Sequence, residues 1–172
     1  MSQAYDNQLA TALEIAKNAH QGQIRKFGQD IGKPYFDTHI IRVVNRVPPW
    51  ARAVAALHDV IEDTGECEET LRAWGEEDGL EPLEPWIISS VLLLTRREEL
   101  SYGSYIHSIV RANGLDGAAA RLVKMADLMD NMSTDPSSFL STRYVPALAA
   151  VSERIREDYE TGWTMTYETG VV

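Results

Sequence analysis

The chain has 172 residues, 44% of them hydrophobic and 24% charged, a composition that supports one packed core and argues against disorder. Its formal net charge of -10, from 16 Lys and Arg against 26 Asp and Glu, argues against a nucleic-acid partner, which needs clustered cations to meet the phosphate backbone. It does not exclude a phosphorylated small molecule, and Cys67, the only cysteine, rules out an internal disulfide and a cysteine-based zinc site.

Leu9, Leu13, Ile15, Ala16 and Ala19 recur at helical spacing and predict a first helix ending near His20 and Gly22. The opening segment lacks a basic stretch followed by an apolar run, so no signal peptide is read and the expected location is the cytoplasm. Gln23 to Pro34 has glycines and no sustained periodicity and reads as a loop. Thr38 is placed to cap a helix carrying Ile40, Ile41, Val43, Val44 and Val47, which Pro48 stops. Pro49 then opens a helix from Trp50 to about Ile61.

The acidic stretch Gly65 to Gly79 has room for a short helix around Leu71, followed by a turn at Pro82–Pro85. Helices are predicted over Trp86–Thr95, Tyr102–Ala112, Gly117–Met132 and Val145–Tyr159, with no run of β-branched residues at period two. The apolar run Trp86–Leu94 is too short to span a membrane. The expected architecture is all-α, a single helical domain over residues 1–172 whose core packs one apolar face of each helix.

Chemistry concentrates in His58-Asp59-Val60-Ile61-Glu62-Asp63-Thr64. On a helix His58 lies one turn from Glu62 and Asp59 one turn from Asp63. Three carboxylates and an imidazole so close together are costly to bury unless a cation compensates them. Read alone, the segment also fits a solvated acidic helix end. A second polar set, Lys124, Asp127 and Asn131, shares one face of the Gly117–Met132 helix among Met, Ala and Leu, with Asp130 beside it. Read alone, that face also fits an exposed Lys124–Asp127 pair. His39 opens the Ile40–Val47 helix, while His20 and His107 read as a helix-end residue and a surface-helix residue. Two imidazoles with two carboxylates, from His39, His58, Asp59 and Asp127, suit manganese, iron or zinc rather than calcium. Glu62 or Asp63 is placed to accept a proton from an attacking water.

These motifs resemble the hydrolase domain of the RelA/SpoT alarmone family and its stand-alone relatives, a family of HD-type phosphohydrolases. The matching order is Ala19-His20-Gln21-Gly22-Gln23-Ile24-Arg25-Lys26, Pro34-Tyr35 and His39, His58 to Thr64, Leu94-Thr95, and Lys124-Met125-Ala126-Asp127 with Asn131. The resemblance covers about residues 8–134. It implies a compact HD-type helical fold and a manganese-dependent enzyme that removes pyrophosphate from the 3′ position of ppGpp or pppGpp. It further implies that His39, His58, Asp59 and Asp127 bind the metal and that Glu62 and Asp63 handle the water. Arg25 and Lys26 would embrace the nucleotide, Arg25 against the base; Asn131 and Thr134 would meet base and sugar, and Lys124 the substrate. A flexible Arg-Lys pair also suits an acidic protein that must receive a polyphosphate.

Several positions depart from the family's pattern. The Phe27–Lys33 loop is longer, one extra residue separates Tyr35 from His39, and Ile40 replaces a proline. Asp130 and Ser133 stand where an aromatic or histidine and an arginine are usual. These changes are expected around the base pocket, not the metal, which opens the alternative of another substrate, an adenosine alarmone or a phosphorylated cofactor. A catalytically silent nucleotide sensor is a further alternative, which the intact ligand set opposes. The chain leaves no room for a synthetase domain, so alarmone synthesis is not expected.

Overall fold

The computed structural model of the protein describes residues 2–74, 80–134 and 138–162. The first helix, α1 (Ser2–Ala19), buries Ala12, Ile15 and Ala16. It ends just before Gly22, whose φ of 77° is a left-handed conformation that glycine adopts without a Cβ clash. The segment from Gln23 to Pro34 is a loop, as its sequence predicts, and it is pinned by its own backbone. Arg25 N–H donates to Lys33 O, Gly32 N–H to Arg25 O and Tyr35 N–H to Gln23 O, each at 2.9 Å. An isolated antiparallel bridge pairs Ile24 with Pro34.

Thr38 caps no helix. Its hydroxyl donates back to the Pro34 carbonyl at 2.6 Å, from inside a π-helical turn over Phe36–Ile40 that is closed by Ile41 N–H donating to Phe36 O. The short α2 (Ile41–Val44) comes directly after it. The single helix expected from Trp50 to Ile61 is divided into a 3₁₀ turn at Pro49–Ala51, α3 (Arg52–Leu57) and α4 (Val60–Asp63). His58 and Asp59 form the joint between α3 and α4.

The remaining elements match the apolar spacing closely: α5 (Glu68–Ala73), α6 (Pro85–Leu94), α7 (Tyr102–Arg111), α8 (Gly114–Thr134) and α9 (Ser138–Glu160). Ser101 caps α7, its hydroxyl accepting from Ser104 N–H at 3.1 Å. The last helix starts earlier than predicted and carries Pro146 inside it, at the cost of one backbone donor. Part of the acidic Gly65–Gly79 stretch, residues 75–79, lies outside the described residues.

The long α8 packs against α3, α6, α7 and α9, which is how Asp127 on it comes to face the α3–α4 joint. Alanines 118, 119, 120 and 126 are buried on α8, and small side chains let helices approach closely. At Gly117 the approach is closest, since an added Cβ would lie 2.4 Å from the Ala112 carbonyl oxygen. Buried Arg121 ties α8 to its neighbours, donating to Asp158 on α9 at 2.9 and 2.6 Å and to the Ala112 carbonyl at 2.5 Å. The core runs from Ala12 to Ile155, and each fully buried Ile, Leu or Val in it contributes roughly 1.5–3 kcal/mol. Every helix or strand element among the described residues is a helix, as the all-α expectation has it, and none of them is long and apolar enough to cross a membrane.

Candidate metal centre

The joint between α3 and α4 gives the site its shape. Asp59 sits at φ -106° and ψ -1°, in the sparsely populated region between the main basins where active-site residues often occur. On a continuous helix two consecutive side chains diverge by about 100°. Across this joint they converge, with His58 Nε2 lying 3.0 Å from Asp59 Oδ2. From the π turn His39 points its Nε2 at the same place, 3.2 Å from His58 Nε2 and 3.4 Å from both Asp59 Oδ2 and Asp127 Oδ1. His39, His58 and Asp127 are each at most 5% exposed, and one ligating atom from each lies within 4.8 Å of the others.

The outer ring nitrogens decide what this cluster wants. His58 Nδ1 faces the Ala55 carbonyl at 2.8 Å and His39 Nδ1 faces the Asp130 carboxylate at 2.8 Å. Both acceptors require a hydrogen on Nδ1, so both Nε2 atoms carry lone pairs in the neutral rings. Two lone pairs at 3.2 Å, ringed by carboxylates, repel unless a cation sits among them. Burial by itself pushes the His39 imidazole down, yet bonds to Asp127, Asp130 and Asp59 outweigh it and hold the ring up at about 10. In the absence of metal a proton therefore plays the cation's part. The donor set of two nitrogens and one or two oxygens, with its outer nitrogens anchored, fits a divalent transition ion.

Asp127 is held by α8 itself, accepting from Lys124 Nζ at 2.8 Å and Asn131 Nδ2 at 2.6 Å. Burial would raise its carboxyl, but Lys124 and His39 keep it ionised well below the usual range. Tyr35 donates its hydroxyl to Asp59 Oδ2 at 2.5 Å; burial and the Asp59 charge push the phenol far above its usual value, so it remains a donor.

Beside the cluster opens a cleft of about 180 Å³ whose walls include Glu62, Asp63, Lys124, Asn131, Arg96 and three tyrosines from the helical segments, Tyr102, Tyr105 and Tyr144. Glu62 and Asp63 reach solvent there, but crowding by the walls, assisted by the Asp59 charge, raises both carboxyls. A carboxylate whose pKa is raised toward neutrality is a better proton acceptor than an ordinary surface one. Glu62 is aimed by the backbone N–H of Arg96, which it accepts at 3.0 Å. Gln23 reaches Asp63 at 3.5 Å and is itself bonded to His20 Nδ1 at 2.5 Å.

The structure thus gathers His39, His58, Asp59, Asp127, Glu62, Asp63, Lys124 and Asn131 around one point, and leaves others aside. Lys26 is exposed on the pinned loop. Arg25 is buried at 8% exposure and Thr134 at 2%, bonded to each other at 2.8 Å. Asp130, which the sequence places at the base pocket, instead backs the His39 ring. His107 is exposed on α7 and His20, which is buried, follows the end of α1, as the sequence suggests. Tyr35 belongs to the Pro34-Tyr35 motif, which by itself assigns it no role, and Arg46 and the Arg96 backbone are neighbours of the cluster that no local motif signals, because their partners lie on distant segments.

No family profile and no curated protein sequence matches the chain. Among solved structures it is similar to a metazoan orthologue of SpoT that hydrolyses ppGpp and plays a role in starvation responses. That likeness has a TM-score of 0.60 at 20% identity and covers 90% of this chain and 94% of the other. The two share a fold.

Proposed function

We propose that the protein is a metal-dependent phosphohydrolase that removes the 3′-pyrophosphate of (p)ppGpp or a closely related nucleotide. The observation that carries the reading is the pair of Nε2 atoms from His39 and His58, 3.2 Å apart and within 3.4 Å and 3.9 Å of the Asp127 carboxylate, beside a cleft lined by Glu62, Asp63 and Lys124. The shared fold with a ppGpp hydrolase and the order of the matching motifs support it.

His39, His58, Asp59 and Asp127 would hold one divalent ion, manganese in preference to iron or zinc. Such an ion would polarise the phosphoryl group and lower the pKa of an attacking water. Glu62 and Asp63, with raised affinity for protons, take the proton that the water gives up. Lys124, bonded to Asp127 and facing the cleft, offsets phosphate charge, and Asn131 and the exposed Lys26 contact the rest of the nucleotide. Neutral rings are required at both histidines, and their Nδ1 partners enforce the correct tautomer.

Arg25, the residue that the family resemblance sets against the base, is buried and bonded to Asp130, to Thr134 and to Asn131 of the cleft wall. That observation favours a second reading, the same chemistry on a nucleotide with another base. The test is pyrophosphate release by metal-stripped protein from ppGpp and from its adenosine counterpart, with and without added manganese. Manganese-dependent release from either establishes the hydrolase and ranks the bases. Bound manganese with no release from any nucleotide tested would favour a silent sensor; no manganese binding would sink the reading.

A further inference from the structure

We infer that Asp130, gripped by Arg25 and Arg46, is the positioning residue for His39, and that Arg25 serves this buried cluster rather than the substrate. The inference rests on the metal-site reading above but concerns residues behind it.

Asp130 is 0% exposed. Its Oδ2 accepts from His39 Nδ1 at 2.8 Å and from Arg25 Nη2 at 3.4 Å, and its Oδ1 accepts from Arg46 Nη1 at 2.7 Å. Arg42 stands 3.9 Å from the same Oδ1 and is itself drawn off by Asp30. A carboxylate taken fully out of water is tolerated only when cations and donors surround it, and these residues supply both. In return the carboxylate fixes the plane and tautomer of the His39 ring, which leaves Nε2 free to face His58 and Asp127.

Arg25 is committed to the cluster. Besides Asp130, its guanidinium donates to Thr134 Oγ1 at 2.8 Å and to Asn131 Oδ1 at 3.3 Å, and it lies 5.7 Å from the centre of the Tyr35 ring. The backbone pairing of Arg25 with Lys33 and Gly32 holds it in that place. Swinging out to a nucleotide would leave Asp130 short of a counter-charge and would break each of these bonds. An aspartate at position 130 and an inward Arg25 are therefore one device: the first creates a buried charge and the second neutralises it.

The test uses metal-stripped protein and four forms, the wild type, Asp130→Asn, Arg25→Met and the double variant. Mn(II) affinity is read by calorimetry, urea unfolding is read without metal, and kcat and KM are read on whichever nucleotide the wild type turns over. Asp130→Asn keeps the size and an acceptor for Nδ1, and is expected to weaken Mn(II) about 10–100-fold, the usual cost of losing an outer partner of a ligating histidine. Arg25→Met is expected to weaken Mn(II) in the same direction while leaving KM within about twofold. In the double variant Arg25→Met should add little to the loss already caused by Asp130→Asn, since coupled residues are not additive. If Asp130→Asn fails to fold, Arg46→Met, which uncovers the opposite oxygen, should show the same loss of Mn(II) affinity. Unchanged Mn(II) affinity in these variants overturns the inference, and so does an Arg25→Met form with raised KM and wild-type Mn(II) affinity. Should the wild type bind no Mn(II), the hydrolase reading falls separately. The cluster is then decided by unfolding alone, where coupled losses uphold it and additive losses overturn it.

Discussion

Asp127 faces the two histidines while accepting from Lys124 and Asn131, so its removal has two consequences. Replacing it with alanine takes a donor from the proposed metal cluster and strands the Lys124 ammonium, whose side chain is only 14% exposed. Mn(II) binding should be lost in Asp127→Ala and likewise in His58→Ala. The stranded ammonium should cost Asp127→Ala roughly 3–5 kcal/mol of stability in urea unfolding of the metal-free protein. Glu62 is different, since it bonds the Arg96 backbone and points to the cleft. Glu62→Gln should keep Mn(II) and slow turnover about 10²–10⁴-fold, the span of a lost general base. Equal loss of metal in all three variants would end that division of labour. The contrast between these residues is legible in the sequence, where His58, Asp59 and Asp127 interrupt apolar helical runs that give no other reason for buried charge. Asp130 is not legible in the same way: its partner His39 is 91 positions away, and local spacing says nothing about such a pairing.

Two departures from regular helix make the site, and they differ in how the sequence announces them. The π turn over Phe36–Ile40 coincides with the one extra residue between Tyr35 and His39. A π turn is what an α-helix becomes when a single residue is inserted. It lets Tyr35 stay in contact with His39, ring centres 5.0 Å apart, while both still reach the cluster. Deleting the exposed Asp37 should relax the turn to an α-helical one and leave Mn(II) affinity within a few-fold. Inserting one alanine after Ile41, where no turn absorbs it, rotates the rest of α2 by about 100° relative to the π turn and should abolish binding. Loss of Mn(II) in the deletion form equal to that in the insertion form would refute the idea that the turn is a register correction. The break at His58-Asp59 has no such signal. Its flanks, Ala-Val-Ala-Ala-Leu and Val-Ile-Glu-Asp, contain neither glycine nor proline, and local propensity favours one continuous helix there. The break is imposed by tertiary packing, which is why the element boundaries are the least readable part of an otherwise readable all-helical chain.

At the scale of the whole molecule, the proposed metal cluster would couple folding, protons and metal. The His39 ring is held up at about 10 in the metal-free fold, against about 6.5 in an unfolded chain. A pKa raised on folding stabilises fully below the unfolded value and ceases to do so as pH climbs through the folded one. Asp30 runs the opposite way. Arg42 and Lys33 hold its carboxyl at about 2, so its contribution is complete above the ordinary carboxylate range near 3.9 and fades as pH falls through about 2. Between these limits the metal-free protein keeps both contributions, and on the alkaline side it surrenders the one from His39. On the proposed reading manganese would take the place of that proton, so its binding should release the proton and tighten as pH rises. A ligand at 100 times its Kd adds about 2.7 kcal/mol to stability, and that increment grows as Kd falls. The difference in Tm between manganese-loaded and metal-stripped protein should therefore widen from about pH 6 to about pH 8.5, because the stripped form loses the His39 contribution while the loaded form, which would hold no proton there, does not. Thermal scans at fixed free manganese measure it directly. A difference that stays flat or narrows over that range means that the metal and the His39 proton do not compete for one place.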